Sequence, residues 1–265
     1  MWLDKLRSSS ISYTNPQATS IAAARALLYT RRMTQAIIFD FDGVIVDSEP
    51  LHYRAFLRTA QEAGVDIDFD YDQYLRKYVG FDDREGFSEM IAAADPAAAK
   101  SPGFASQIAT LCESKKHVFA AIVEEGFETI PGVLDFIASL PATFPIAIAS
   151  GATREDIELI VSKLGIASRF STIVTASDVA RSKPDPMTYR MALENLRVSH
   201  PDLNLSASQV VAIEDTAAGI ESARGAGLHV LGLTTTTDGT NLGRASRVIK
   251  GFEELSLAKM QQWFG

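Results

Sequence analysis

Two aspartates stand one residue apart in Asp40-Phe41-Asp42-Gly43, directly after the apolar run Ala36 to Phe39. The reactive groups of an open α/β sheet gather beyond the carboxyl ends of its strands, so a site is expected here. In an irregular turn both carboxylates can approach one point. That suits a hard divalent cation bound through oxygen, and Gly43 lets the backbone turn sharply. Alone, such a pair is equally what a solvated turn or a helix cap looks like. Three further run ends carry groups of complementary use. Ser150 and Gly151 follow Ile146 to Ala149 and offer a hydroxyl and backbone N–H groups to phosphate oxygens. Lys183, in Lys183-Pro184-Asp185-Pro186 just ahead of a helical stretch, is a point charge suited to phosphate. Glu214 and Asp215 follow Val210 to Ile213 as a second acid pair, which could also simply complement a helix dipole. Each signal is modest, but acid pair, hydroxyl, lysine and acid pair in that order on successive run ends form a specific joint pattern.

The elements that must position these groups are legible in the spacing of apolar residues. From Gln35 onward, short apolar runs alternate with amphipathic helical stretches, which predicts an α/β fold with a doubly wound, mainly parallel sheet. The predicted strands are Ala36 to Phe39, Ile146 to Ala149, Thr172 to Val174, Val210 to Ile213 and Val230 to Leu233. Thr153 and Asp156 have the spacing of a capping box, with Ile157, Ile160, Val161 and Leu164 on one face and Gly165 as the C-terminal cap. Asp185 is predicted to cap a helix whose first position is Pro186, with Tyr189, Ala192, Leu193 and Leu196 facing inward, and Thr216 to open the next helix. Pro50 to Ile130 shows only helical patterns, among them Leu51 to Ala63, Phe104 to Glu125 and an alanine-rich helix, Ile91 to Ala99, interrupted at Pro96. A simple crossover requires only about 10–15 residues, so this interval predicts an inserted helical cap domain. The expected organisation is a core of 34–48 and 131–265 with a cap of 49–130, hinged near Asp47 to Pro50 and Thr129 to Gly132.

With 265 residues and 46% hydrophobic content, the chain can bury a sizeable core. Its net charge of -8 gives no broad attraction to a nucleic-acid backbone, and no window approaches the roughly 18 apolar residues of a membrane span. Neither nucleic acid nor membrane is an expected partner. The single cysteine, Cys112, excludes an intrachain disulfide and any multi-thiolate metal site, as suits a reducing compartment. His117, His200 and His229 have no partner spacing that marks a metal or catalytic role. Residues 1–33 differ in composition: Ser8, Ser9, Ser10, Ser12 and Ser20 accompany several arginines, and Asp4 is the one acid. They read either as an organelle transit peptide or as a simple extension before a domain starting near Met33. The extension is preferred because the segment carries no legible chemistry, and the expected location is the cytoplasm, or an organelle if residues 1–32 act as a transit peptide.

The motifs Asp40-Phe41-Asp42-Gly43-Val44-Ile45-Val46-Asp47-Ser48, Ser150, Lys183 and Glu214-Asp215 resemble those of the haloacid dehalogenase-like superfamily, over Gln35 to about Phe252. The insert and Asp47-Ser48-Glu49-Pro50-Leu51-His52 are similar to the branch holding phosphoglycolate phosphatase and β-phosphoglucomutase. The resemblance implies a Rossmann-like core and a magnesium-dependent phosphatase of a small phosphorylated metabolite, such as a sugar phosphate or phosphoglycolate. It makes Asp40 the nucleophile that forms an aspartyl phosphate, and Asp42 the group that protonates the leaving oxygen and then activates water. Magnesium would be held by the Asp40 side chain, the Asp42 carbonyl and Asp215, with Glu214 close by or acting through water. Ser150, the Gly151 N–H and Lys183 would neutralise the phosphoryl oxygens. In the cap, His52 stands where the mutase of the branch has a histidine, while Arg84 and Lys115 or Lys116 could bind a second anionic group. Asp42 argues against a dehalogenase, since a departing halide needs no proton. Two alternatives stay open: a phosphomutase of the β-phosphoglucomutase type, and an inactive binding or regulatory protein on the same scaffold.

Overall fold

Four consecutive apolar residues buried on both faces are the mark of a central parallel strand. In the computed structural model Ala36–Phe39 form such a strand, β1, with every side chain buried. The structure describes residues 33–235 and 239–265, so the predicted N-terminal extension lies, but for Met33, outside the described residues. β1 pairs in parallel with β2 (Ile146–Ala149) on one side, and β3 (Thr172–Val174) lies beyond β2. On its other side it pairs with β4 (Val210–Glu214), followed by β5 (His229–Leu233) and β6 (Arg247–Ile249). The order is β3-β2-β1-β4-β5-β6 with every pair parallel. The chain therefore builds outward from β1 in one direction and then returns to build in the other. The crevice at that reversal lies beyond the carboxyl ends of β1 and β4, where such sheets bind ligands. Phe39 is in register with both Ile148 and Ile213, which sets Asp40 level with Glu214 and one residue short of Ser150.

The insert that follows β1 carries four α-helices: α1 (Glu49–Glu62), α2 (Tyr71–Lys77), α3 (Asp83–Ala94) and α4 (Phe104–Glu125). They share a core of their own around Phe56, Phe69, Tyr74, Phe87, Met90, Ile108 and Leu111. At their other ends, α1 through Leu51 and Ala55 and α4 through Val118, Phe119 and Ile122 join the core beneath the sheet. The segments leading into and out of the insert pair with each other: the Asp47 N–H donates to the Glu128 carbonyl at 3.2 Å and the Ile130 N–H to the Ile45 carbonyl at 3.0 Å.

Alternation along β1 sends Ile37 and Phe39 to one face, against α5 (Val133–Ser139), α6 (Arg154–Lys163) and the residues that precede α7. Ala36 and Ile38 meet α7 (Met187–Ser199) and α8 (Ala217–Gly225) on the other, and α9 (Leu257–Phe264) closes the chain on the first face through Met260. Each large aliphatic side chain buried this way contributes about 1.5–3 kcal/mol. The helix ends follow their capping residues. The Thr153 hydroxyl accepts from the Asp156 N–H at 3.2 Å, Gly165 follows α6 with φ +70°, and the Thr216 hydroxyl accepts from the Gly219 N–H at 3.0 Å.

Three local features differ from the sequence expectation. α7 begins at Met187, whose N–H is capped by Asp185 at 3.1 Å, so Pro186 flanks the helix instead of opening it. α3 stops at Ala94, because Asp95 turns its carboxylate onto the N–H groups of Ala97 and Ala98, just beyond the Pro96 break. The sixth strand, β6, is absent from the predicted set: Arg247 and Val248 are exposed at the sheet edge, and three residues of mixed polarity carry no apolar run.

Candidate active site

At the end of β1 the ladder extends one bond further, the Asp40 N–H donating to the Ile213 carbonyl at 2.9 Å. This holds Asp40 against β4, with only 6% of it exposed. Its Oδ1 accepts from the Phe41 N–H at 2.7 Å and from the Lys183 ammonium at 2.8 Å. Gly43, at φ +70°, then turns the chain away, and its N–H donates to the Val46 carbonyl. Thr235 donates its hydroxyl to the Gly43 carbonyl at 2.5 Å, tying this turn to the end of β5.

Burial, followed by the nearby charge of Glu214, holds the Asp40 carboxyl well above its usual range, while Lys183 opposes the shift. Burial also raises Asp42, against hydrogen bonds from Ser48 and Ser150 and the charge of Lys183. The Ser48 hydroxyl donates to Asp42 Oδ1 at 2.5 Å and Ser150 lies 3.5 Å from Oδ2. Ser150 is fully buried, and its oxygen accepts from the Ala152 N–H at 2.9 Å, with Gly151 exposed between them.

Lys183 joins the two aspartate motifs, since its ammonium also donates to Glu214 Oε1 at 2.7 Å. Burial disfavours its charge, but Asp40 and Glu214 outweigh that, so Lys183 stays protonated well past its ordinary pKa. Glu214 is completely buried and further held by the Tyr189 hydroxyl at 2.7 Å and, on Oε2, by the Thr216 hydroxyl at 3.1 Å. Helix α8 makes room for it only because residue 219 is glycine: a Cβ there would stand 1.8 Å from Glu214 Oε1.

Asp40, Glu214 and Asp215 each offer a carboxylate oxygen within 4.8 Å of the others. Ionised together, these three carboxylates would exceed the one Lys183 ammonium by two charges, which a divalent cation would balance. An all-oxygen donor set without thiolate or imidazole fits a hard ion such as magnesium.

The predicted core residues Asp40, Asp42, Ser150, Gly151, Lys183, Glu214 and Asp215 thus lie at the ends of β1, β2 and β4 and in the turn before α7. Of the predicted cap residues, His52 stacks on Phe119 and its Nδ1 lies 3.2 Å from Lys115 Nζ. Lys116 is exposed and pairs with Glu113 at 2.8 Å, and Arg84 is exposed on α3. Neither is joined to the core carboxylates by a hydrogen bond or ion pair. It is Lys115 that is buried. Sequence reasoning misses two contributors. Ser48 closes the first motif, but spacing assigns it no partner. Helical periodicity puts Tyr189 on an inward face and says nothing of where its hydroxyl goes.

The chain belongs to the haloacid dehalogenase-like hydrolases, whose family model matches residues 37–233. It is 31% identical to the phosphorylated carbohydrates phosphatase of Thermotoga maritima, over 85% of this chain and 98% of that one. It is 29% identical to validoxylamine A 7'-phosphate phosphatase of Streptomyces hygroscopicus subsp. limoneus, over 84% of this chain and 96% of the relative. Among solved structures, CbbY from Rhodobacter sphaeroides in complex with xylulose-(1,5)bisphosphate matches with a TM-score of 0.71 at 30% identity, covering 86% of this chain and 100% of that one. The enzyme class that the motifs imply, a phosphoric monoester hydrolase, is the class of these phosphatases. Among the described residues no helix is long and apolar enough to cross a membrane.

Proposed function

We propose that the protein is a magnesium-dependent phosphatase of a small phosphorylated metabolite, acting through an aspartyl phosphate on Asp40. The observation that carries this reading is Lys183, which bonds Asp40 at 2.8 Å and Glu214 at 2.7 Å where β1 and β4 end. A lysine so placed opposes the burial that raises the Asp40 carboxyl, and it is ready to meet phosphoryl oxygens in the crevice. Asp40 attacks phosphorus and expels the leaving oxygen, to which Asp42 gives its proton. Asp42 then takes a proton from the water that hydrolyses the aspartyl phosphate, which returns both carboxyls to their starting states. Burial raises the Asp42 carboxyl, as an acid in this role needs, and Ser48 and Ser150 orient it. Ser150, the Gly151 N–H and Lys183 bind the phosphoryl oxygens.

Asp40, the Asp42 carbonyl and Asp215 would hold magnesium, with Glu214 beside them, holding Lys183 through the bond described. When bound, the ion supplies charge neutralisation at the phosphoryl group. Residues 49–130 form the cap in this reading, closing on the core about the paired segments near Asp47 and Thr129 to exclude water. The single cysteine suits a cytoplasmic location.

The test is hydrolysis of p-nitrophenyl phosphate with magnesium present. Asp40→Asn should lower turnover by about a thousandfold or more, and chelation of magnesium should have a similarly severe effect. Undiminished activity in the variant would remove Asp40 as nucleophile. Transfer of phosphate between sugar positions with little free phosphate would point to a mutase instead.

A further inference from the structure

One buried lysine of the insert is already neutralised. Lys115, on α4, has a side chain only 3% exposed and donates to Asp83 Oδ1 on α3 at 2.5 Å. Its ammonium lies over the Phe56 ring at 4.4 Å and 3.2 Å from His52 Nδ1.

The position of this pair relative to the crevice follows from bonds. Ser48 donates its hydroxyl to Asp42, and the His52 N–H donates to the Ser48 carbonyl one helical turn later. His52 then touches Lys115. One hydrogen bond, one turn of helix and one side-chain contact therefore connect Asp42, at the leaving-group side of the reaction, to the lysine. From the core, α6 packs on α4 and brings Asp156 towards the same place. The charges of Lys115 and Asp42 act together on both Asp156 and Glu49, so all of these groups share one electrostatic neighbourhood. Acids predominate there, and Lys115 is the one buried cation of the insert among the described residues. Arg84 and Lys116 are at the surface.

We infer that the cap face beyond Asp42 selects phosphate monoesters whose leaving group carries no second anionic group, with Asp83 occupying the lysine that a second phosphate would need. A second phosphate brought to this face meets Asp83, Asp156 and Glu49, and must displace Asp83 from Lys115. A neutral polyhydroxylated remainder, or one bearing an ammonium, meets no such repulsion. The contrast is with the CbbY structure, which holds a bisphosphate. This inference rests on the phosphatase reading and names the substrate class of the same site.

The experiment measures inhibition of p-nitrophenyl phosphate turnover by matched pairs, fructose 6-phosphate against fructose 1,6-bisphosphate and glucose 6-phosphate against glucose 1,6-bisphosphate. The second phosphate should not tighten inhibition of the wild type. In Asp83→Asn, which releases Lys115, it should tighten inhibition about tenfold or more relative to the monophosphate. Adding Lys115→Met to that variant should abolish the gain. Bisphosphates that inhibit the wild type tenfold better than their monophosphates overturn the inference, as does a folded Asp83→Asn without the gain. If Asp83→Asn does not fold, Asp83→Ser takes its place: a tenfold gain in that variant supports the inference and no gain overturns it. Turnover of p-nitrophenyl phosphate itself, which has no second anion, reports on the phosphatase reading separately: its absence in the wild type would defeat that reading, whereas its presence without the Asp83 effect would defeat only the selection.

Discussion

Lys183, Glu214 and Tyr189 form a buried relay whose outermost member touches the proposed nucleophile. The Tyr189 hydroxyl donates to the same Oε1 that receives Lys183, so it takes part in fixing where the ammonium sits. A hydrogen bond to a charged acceptor contributes about 1.5–3 kcal/mol, and removing it here strips one of several donors from Glu214 without emptying the cavity. Tyr189→Phe should therefore leave the fold intact, lower the melting temperature modestly and reduce kcat on p-nitrophenyl phosphate by about tenfold, with KM little changed. A thermal melt and a steady-state assay of the variant check this; a kcat equal to that of the wild type would mean that the tyrosine only fills space. The residue-level part of this site is legible in the sequence where chemistry sits next to a strand end, as with Asp40, Ser150 and Asp215. It is not legible for Tyr189, since a helical face reveals burial but not the partner of a hydroxyl arriving from across the sheet. Nor is it legible for Asp83, whose pairing with Lys115 depends on how α3 and α4 pack.

Elements bring these residues together through a few close approaches, and α8 makes the tightest. Gly219 lies in the first turn of α8, and the Glu214 carboxylate occupies the space a side chain would take. Contact at 1.8 Å cannot be absorbed by a small rotation, because Glu214 is held on both oxygens by Lys183, Tyr189 and Thr216. Gly219→Ala must push either α8 or Glu214 aside. Overpacking of a well-packed region costs about 1–3 kcal/mol. The expected outcome is a larger loss of kcat than for Tyr189→Phe together with a clear fall in melting temperature; a variant of native stability and full activity would show that Glu214 does not fix Lys183. At this scale the sequence is most informative where a run is wholly apolar or a cap is unambiguous. β1 to β3 and α4 follow from their patterns, and Thr153 and Thr216 cap as their spacing suggests. β6 escapes because an edge strand can expose its residues, and its pairing with β5 leaves no pattern in Arg247–Ile249 alone.

For the whole molecule, the insert and the sheet domain meet around His52, so the titration of this ring reports on the packing between them. The ring is half-buried against Phe119, and burial together with the adjacent Lys115 charge pushes its pKa from 6.5 down to about 3. The other charged groups near it are Glu49 on its own helix, Asp83 on α3 paired to the lysine, and Asp156 on α6. Because the folded pKa is depressed below the unfolded value, the unfolded chain binds a proton that the folded chain refuses throughout the window between about 3 and 6.5. Stability is thus present above pH 6.5 and is lost as the pH falls through that window, by at most one proton, or about 1.4 kcal/mol per pH unit. Glu49 and Asp156 act in the opposite sense: burial raises their folded pKa values, so they take up protons on folding at acid pH and offset part of the loss. His52→Gln keeps a polar side chain of similar length but does not titrate. Urea unfolding of wild type and variant at pH 7, 6 and 5 should show the wild type losing stability more steeply, with the two curves converging as the pH falls. Parallel curves would mean that His52 titrates as freely in the folded protein as in the unfolded chain, and that the insert does not close over it.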